Sequence, residues 1–153
     1  MYLDIDIVNN IAIHFREAIV EAKHNHEYPE RDRMSHFPYG CCDDAADLLA
    51  EHIFRLHEIE SIRVAGDVFN NIEGITEYHH WLELNGTIVD ITGDQFNDNA
   101  FLLKYSRKVY VGRGDDFHNL FGVRRWRSRG IQSIGVESHK RMYGLYDIII
   151  GYI

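Results

Sequence analysis

Hydrophobic positions in IDIVNNIAIHFREAIVEAKHN (5–25) recur at Val8, Ile11, Ile13, Phe15, Ala18, Ile19 and Ala22, the spacing of one helical face. They predict a helix packed on the core. The pattern stops in HNHEYPERDRMS (24–35), where Pro29 and a dense run of charges predict a surface loop placed to border a cleft. Helical spacing resumes with Ala45, Ala46, Leu48, Leu49, Ile53 and Leu56. Just ahead of that stretch, HFPYGCC (36–42) carries Pro38, Gly40 and two adjacent cysteines into the start of the helix.

Period two then replaces the helical period. SIRVAGDVFNN (61–71), ITEYHHWLELNG (75–86) and TIVDITGD (87–94) are rich in β-branched and aromatic residues, and Asn85-Gly86 marks a hairpin between the last two. Alternation along the second strand puts His79, Trp81 and Glu83 on one face and Tyr78, His80, Leu82 and Leu84 on the other. FNDNAFLLKYSRK (96–108) reads as loop or short helix, KVYVG (108–112) as a fourth strand, and GRGDDF (112–117) as a turn. The segment 131–153 mixes both periods, with Tyr143, Leu145, Tyr146, Ile148, Ile149 and Ile150 core-bound, and leaves helix and strand both open. The expected fold class is α+β, with N-terminal helices packed on an antiparallel sheet.

A chain of 153 residues that is 45% hydrophobic fits one domain over 1–153 with its own core. A net charge of −8 and a pI near 5.6 argue against nucleic acid as a partner. The one basic stretch, RRWRSR (124–129), is expected to be a solvated loop or helix face with an arginine stacked on Trp126. Neighbouring cysteines close almost no loop, so Cys41 and Cys42 are expected as free thiols in a reducing compartment. No signal-peptide pattern opens the chain and no apolar run approaches ~18 residues. The expected location is cytoplasmic, or exported without a signal peptide as an effector or toxin, with no membrane partner. Oligomeric state is not legible.

A cysteine at a helix start is favoured as thiolate by free N–H groups and the helix dipole. A base must take its proton, and a carboxylate must orient that base. Cys42, His79 and Asp90 supply these groups from a helix start and two successive strands. Cys41 is expected as a small buried hydrophobe, with the nucleophile's role as its alternative. His80 is expected in the core or behind the site, and Trp81 as packing that shields the His–Asp pair. Asp43 and Asp44 suit the first helical turn but would oppose a thiolate if they face Cys42. His24, His26, His36, His52, His57, His118 and His139 show no metal-ligand spacing.

G-C-C-D-D-A-A (40–46) resembles the G-x-C-x-x-x-A/S signature at the nucleophile of papain-like and transglutaminase-like cysteine enzymes. H-H-W (79–81) is similar to their H-x-W, and V-D-I-T (89–92) to the hydrophobic-Asp-x-Thr that follows. The resemblance covers about 36–96, within a motif-bearing core of about 36–112. It implies a papain-like or transglutaminase-like fold and a cysteine hydrolase in which Cys42 attacks an amide or peptide carbonyl, His79 is base and acid, and Asp90 orients it. A thioester intermediate and a peptide, protein or small amide substrate, including a glutamine side chain, follow from the same likeness. No cofactor and no metal are implied. The acidic calcium loop of large transglutaminases is absent, as is the upstream oxyanion glutamine of papain-type peptidases. His36 and Tyr39 are the nearest polar groups upstream, and Gln95 is a further candidate lining residue. Acyl transfer to an amine, a non-catalytic binding module, and a zinc site built from Cys41 or Cys42, His79 or His80 and Asp90 are the alternatives.

Overall fold

The computed structural model describes residues 3–153. Helix α1 (Ile5–His24) starts at Asp4, whose carboxylate accepts the Asp6 N–H at 2.7 Å, and buries the predicted stripe at Val8, Phe15, Ala18, Ile19 and Ala22. Arg16 is buried on the same face, which the hydrophobic pattern did not anticipate. The charged segment leads through a short 3-10 turn (Arg33–His36) into α2 (Cys42–His57).

Five strands follow: β1 (Ser61–Asn70), β2 (Ile75–Leu84), β3 (Thr87–Asp90), β4 (Tyr110–Gly112) and β5 (Gly122–Ser128). All pairings are antiparallel, in the order β4-β3-β2-β1-β5. Asn85 and Gly86 turn β2 into β3 at φ 51° and 78°, the left-handed pair that a tight hairpin needs. β3 ends at Asp90, before the predicted limit of 94, because Gly93–Phe96 coils into a 3-10 turn. Helix α3 (His139–Ile150) settles the C-terminal segment as helical.

The sheet is covered on both faces. Leu82, Leu84 and Val89 pack against the three helices in one core. On the other face Val64, Trp81 and Ile88 pack against Phe96, Leu102, Tyr110, Phe117 and Phe121, mostly from the irregular chain between β3 and β5. Two-sided cover is the architecture that places His79 and His80, neighbours in sequence, in different layers. The paired register confirms the predicted split, since Gly66 lies opposite His79 and Ala65 opposite His80.

RRWRSR is a correction. It is not a loop or a helix face but most of β5, an edge strand with Arg124, Arg125 and Arg127 exposed. The guanidinium over Trp126 comes from Arg63 of β1, 5.5 Å from the ring centre, and not from within the basic run.

Gly66 leaves room for the indole beside His79. A Cβ there would lie 2.9 Å from Phe121 Cβ and 3.0 Å from the Trp81 ring. Gly66→Ala is expected to destabilise the fold by about 2 kcal/mol through this overpacking, read as a lowered urea midpoint at unchanged m-value.

Candidate functional site

Cys42 is the first residue of α2, with Cys41 as N-cap. The first intrahelical bond runs from the Ala45 N–H to the Cys41 carbonyl at 2.9 Å, and the Asp44 N–H turns to the Asp43 carboxylate at 2.9 Å. The amides of Cys42 and Asp43 remain as orphan donors at the helix start. The two cysteines differ sharply in setting. Cys41 is fully buried, and burial, reinforced by Asp44, pushes its thiol up to about 12, whereas Cys42 is partly exposed. Both are free thiols, as their adjacency required.

Two acidic residues around the helix start, Asp32 and Asp44, are neutralised from outside. Asp44 receives Arg33 through two bonds at 3.1 Å and Arg141 at 2.7 and 3.2 Å, and Arg141 also clasps Asp32 at 2.8 and 2.9 Å. Asp44 therefore does not stand as a bare negative charge beside Cys42.

His79 projects from β2 into the layer opposite the helices' core and is inaccessible to solvent. Trp81 lies beside it at 5.4 Å between ring centres, with Phe96 at 5.1 Å, Phe117 at 5.6 Å and Phe121 at 6.0 Å. Its Nε2 is 2.6 Å from Asp90 Oδ2. Asp90 Oδ1 accepts the Thr92 N–H at 3.0 Å, which fixes the carboxylate plane. Burial favours a neutral ring, but the Asp90 charge, the hydrogen bond to it and the Cys42 thiol outweigh burial and push His79 up to about 9. For Asp90 burial opposes ionisation. The His79 charge and bonds from both His118 and His79 nevertheless hold it well below the usual carboxylate range.

With Nε2 committed to Asp90, only Nδ1 of His79 remains for the sulfur. Cys42 lies near enough to raise the ring's affinity for its proton. The hydrogen bond made at Nδ1 is to the Gln95 amide, at 3.2 Å. His79, Asp90 and Gln95 thus meet, with Cys42 near enough to bear on the His79 ring.

Gln95 is delivered by a device the hydrophobic pattern hid. Arg16 of α1 donates to the Ile91 carbonyl at 2.6 Å and the Lys108 carbonyl at 3.2 Å, and grips Asp94 with two bonds at 2.7 and 2.8 Å. The 3-10 turn carrying Gln95 is pinned to the first helix through this guanidinium. Arg16→Met is expected to cost about 3 kcal/mol by leaving a nearly buried carboxylate unpaired, measured by chemical unfolding.

Other candidates lie elsewhere. His36 is exposed and lines a separate groove of ≈ 790 Å³ with Lys23, His24, His26, Tyr28, Glu30 and Ser35. The 24–35 loop thus borders a cleft, as expected, but one that none of Cys42, His79 and Asp90 lines. Tyr39 is 51 % exposed and makes no hydrogen bond to the site. His80 receives Arg63 Nη1 at 2.6 Å, and burial together with Arg63 lowers it to about 4. A groove of ≈ 450 Å³ does open at Gln95, lined also by Asn70, Glu73, Glu77, Phe96 and Asp98.

His118, which showed no recognisable spacing, joins the site. Its Nε2 is 2.7 Å from the same Asp90 Oδ2 that holds His79, and its Nδ1 is 2.6 Å from Asp115 Oδ1. The only local sign is D-D-F-H (115–118), where the Asp115 carboxylate also caps the His118 N–H at 2.8 Å. His79, Asp90 and His118 bring one ligating atom each within 4.8 Å of the others. Separations of 2.6 and 2.7 Å are those of shared protons, whereas ligand atoms on a tetrahedral zinc with bonds of ~2.0–2.1 Å stand about 3.3 Å apart. This donor set does not fit an ion. Of the residues considered for zinc, Cys41 lies in the helix-side core and His80 on the other sheet face.

No family model, curated protein or solved structure matches this chain. Among the described residues no helix is long and apolar enough to cross a membrane.

Proposed function

We propose that the chain is a cysteine-dependent hydrolase of an amide or peptide bond, on a papain-like or transglutaminase-like arrangement. The observation that carries this reading is the buried His79–Asp90 pair at 2.6 Å with a thiol at a helix start near enough to bear on its ring.

The thiol proton moves to Nδ1 of His79, and the imidazolium so formed is stabilised by Asp90. Cys42 Sγ attacks the carbonyl carbon, and the carbonyl oxygen takes the negative charge. Gln95 and the Cys42 N–H are the donors placed to receive it. With His79 raised to about 9, Nδ1 carries its proton at neutral pH and does not accept from the Gln95 amide, which is free to turn toward the oxyanion. His79 then protonates the leaving amine, the C–N bond breaks, and a thioester remains on Cys42. Water, deprotonated by His79, attacks the thioester, and the thiolate departs with the acid as product.

Iodoacetamide labelling mapped by mass spectrometry tests the site. Cys42 is expected to be modified at neutral pH while Cys41 is spared, and His79→Ala to slow labelling of Cys42 at least about tenfold. Equal labelling of both cysteines at an ordinary thiol rate would overturn the reading. The turnover of a peptide or glutamine amide is expected to fall above pH about 9, where His79 loses the proton that the leaving amine needs.

A further inference from the structure

His118 is buried, titratable and unused by the steps above. It bonds the same Asp90 oxygen as His79, with the two ring centres 6.2 Å apart. Each of its ring nitrogens faces a carboxylate oxygen, at 2.7 Å (Asp90) and 2.6 Å (Asp115). An acceptor on both sides calls for N–H on both nitrogens, which is an imidazolium. Asp115 is kept as an acceptor by the Tyr105 hydroxyl at 2.7 Å and the His118 N–H at 2.8 Å.

The surroundings suit a buried cation. Tyr110 stacks on the His118 ring at 5.1 Å, and Trp81, Phe117 and Tyr105 meet it near-perpendicularly at 4.9, 4.9 and 5.6 Å. Aromatic groups around a desolvated positive charge stabilise it through their quadrupoles. From the outer turn inward the charges then alternate, Asp115, His118, Asp90 and His79.

We infer that His118 is a positioning residue, a buried cation anchored by Asp115 that shares Asp90 Oδ2 with His79, fixing the carboxylate and tempering its hold on the His79 proton. The inference rests on the reading of His79 as the acid of the reaction, because a ring locked as imidazolium cannot pass its proton to the leaving amine. The titratable and charged groups facing this chain are Cys42 from α2, Asp90 from β3, Tyr110 from β4 with Arg107 over its ring, and Tyr105 and Asp115 from the irregular segment. His80 follows His79 on β2 but lies in the opposite layer.

The test is the NMR titration of the His79 ring in the full chain and in His118→Gln, His118→Phe and Asp115→Asn. Removing a positive charge at this range is expected to raise the His79 midpoint by about one pH unit in both His118 variants. A smaller rise is expected in Asp115→Asn, which weakens the anchor of the cation. A residue that merely filled space would leave the midpoint unchanged or, by loosening Asp90, lower it, and either result in His118→Gln overturns the inference. Should the phenylalanine variant not fold, the glutamine and asparagine variants decide it. The hydrolase reading fails separately, if Cys42 alkylation proves indifferent to His79→Ala, and the titration stands whatever that outcome.

Discussion

Cys42→Ala is expected to abolish amide hydrolysis, with kcat falling by at least about a thousandfold, while Cys41→Ala keeps most of the activity. The asymmetry follows from two adjacent sulfurs in opposite settings. Cys41 lies in the helix-side core and its thiol is pushed up to about 12, so it serves as a small apolar group whose truncation costs about 1 kcal/mol. Cys42 is half-exposed, sits where orphan helix amides point, and lies against His79. Steady-state turnover of a peptide or glutamine amide, with the trapped thioester sought by mass spectrometry, checks both variants. Comparable loss in the two would move the chemistry off Cys42.

Asp90→Asn is expected to lower kcat by about a thousandfold and to weaken the fold. Asp90 Oδ2 accepts from two imidazoles, at 2.6 and 2.7 Å, and Oδ1 from the Thr92 amide at 3.0 Å. An asparagine has only one oxygen for these donors. Its NH2 group would face an N–H wherever it replaced the other oxygen. Leaving such donors unmatched in a buried layer costs about 3 kcal/mol. The pH dependence has a definite sign. His79 is raised in the folded state from 6.5 to about 9, so its contribution is fully present below pH 6.5 and is lost as pH rises through 9. The stability gap between the native chain and the variant is therefore expected to narrow between those values, which unfolding curves at pH 6 and pH 9.5 measure. A gap that widened over that range would show that His79 does not hold its proton against Asp90.

The first four strands, the hairpin and the cysteine helix were legible because each depends on local pattern. Asn85-Gly86 needs no partner to specify a turn, and alternation along β2 already assigned His79 and His80 to opposite layers. The pairing of His79 with Asp90 was legible because a two-strand hairpin allows few arrangements. Arg16 was not legible, since a charged residue within an apolar stripe reads as solvent-facing until its partners are known, and those lie 75 to 92 residues away. His118 escaped for the same reason: it reaches Asp90 across 28 residues of chain without periodicity. RRWRSR was misread because its charges suggested a solvated loop or helix face, while its backbone pairs with β1 from Arg124 to Ser128.

That strand has a consequence for how the molecule avoids its own kind. β5 closes one side of the sheet, and its outer backbone is a template onto which any extended peptide could zip. Arg124, Arg125 and Arg127 stud this margin, so a second β5 laid alongside would set guanidinium against guanidinium in a ladder of repulsion. The opposite margin, β4, offers only three residues to grip. Fibril-like stacking is thus discouraged at both borders, by like charge at one and by brevity at the other.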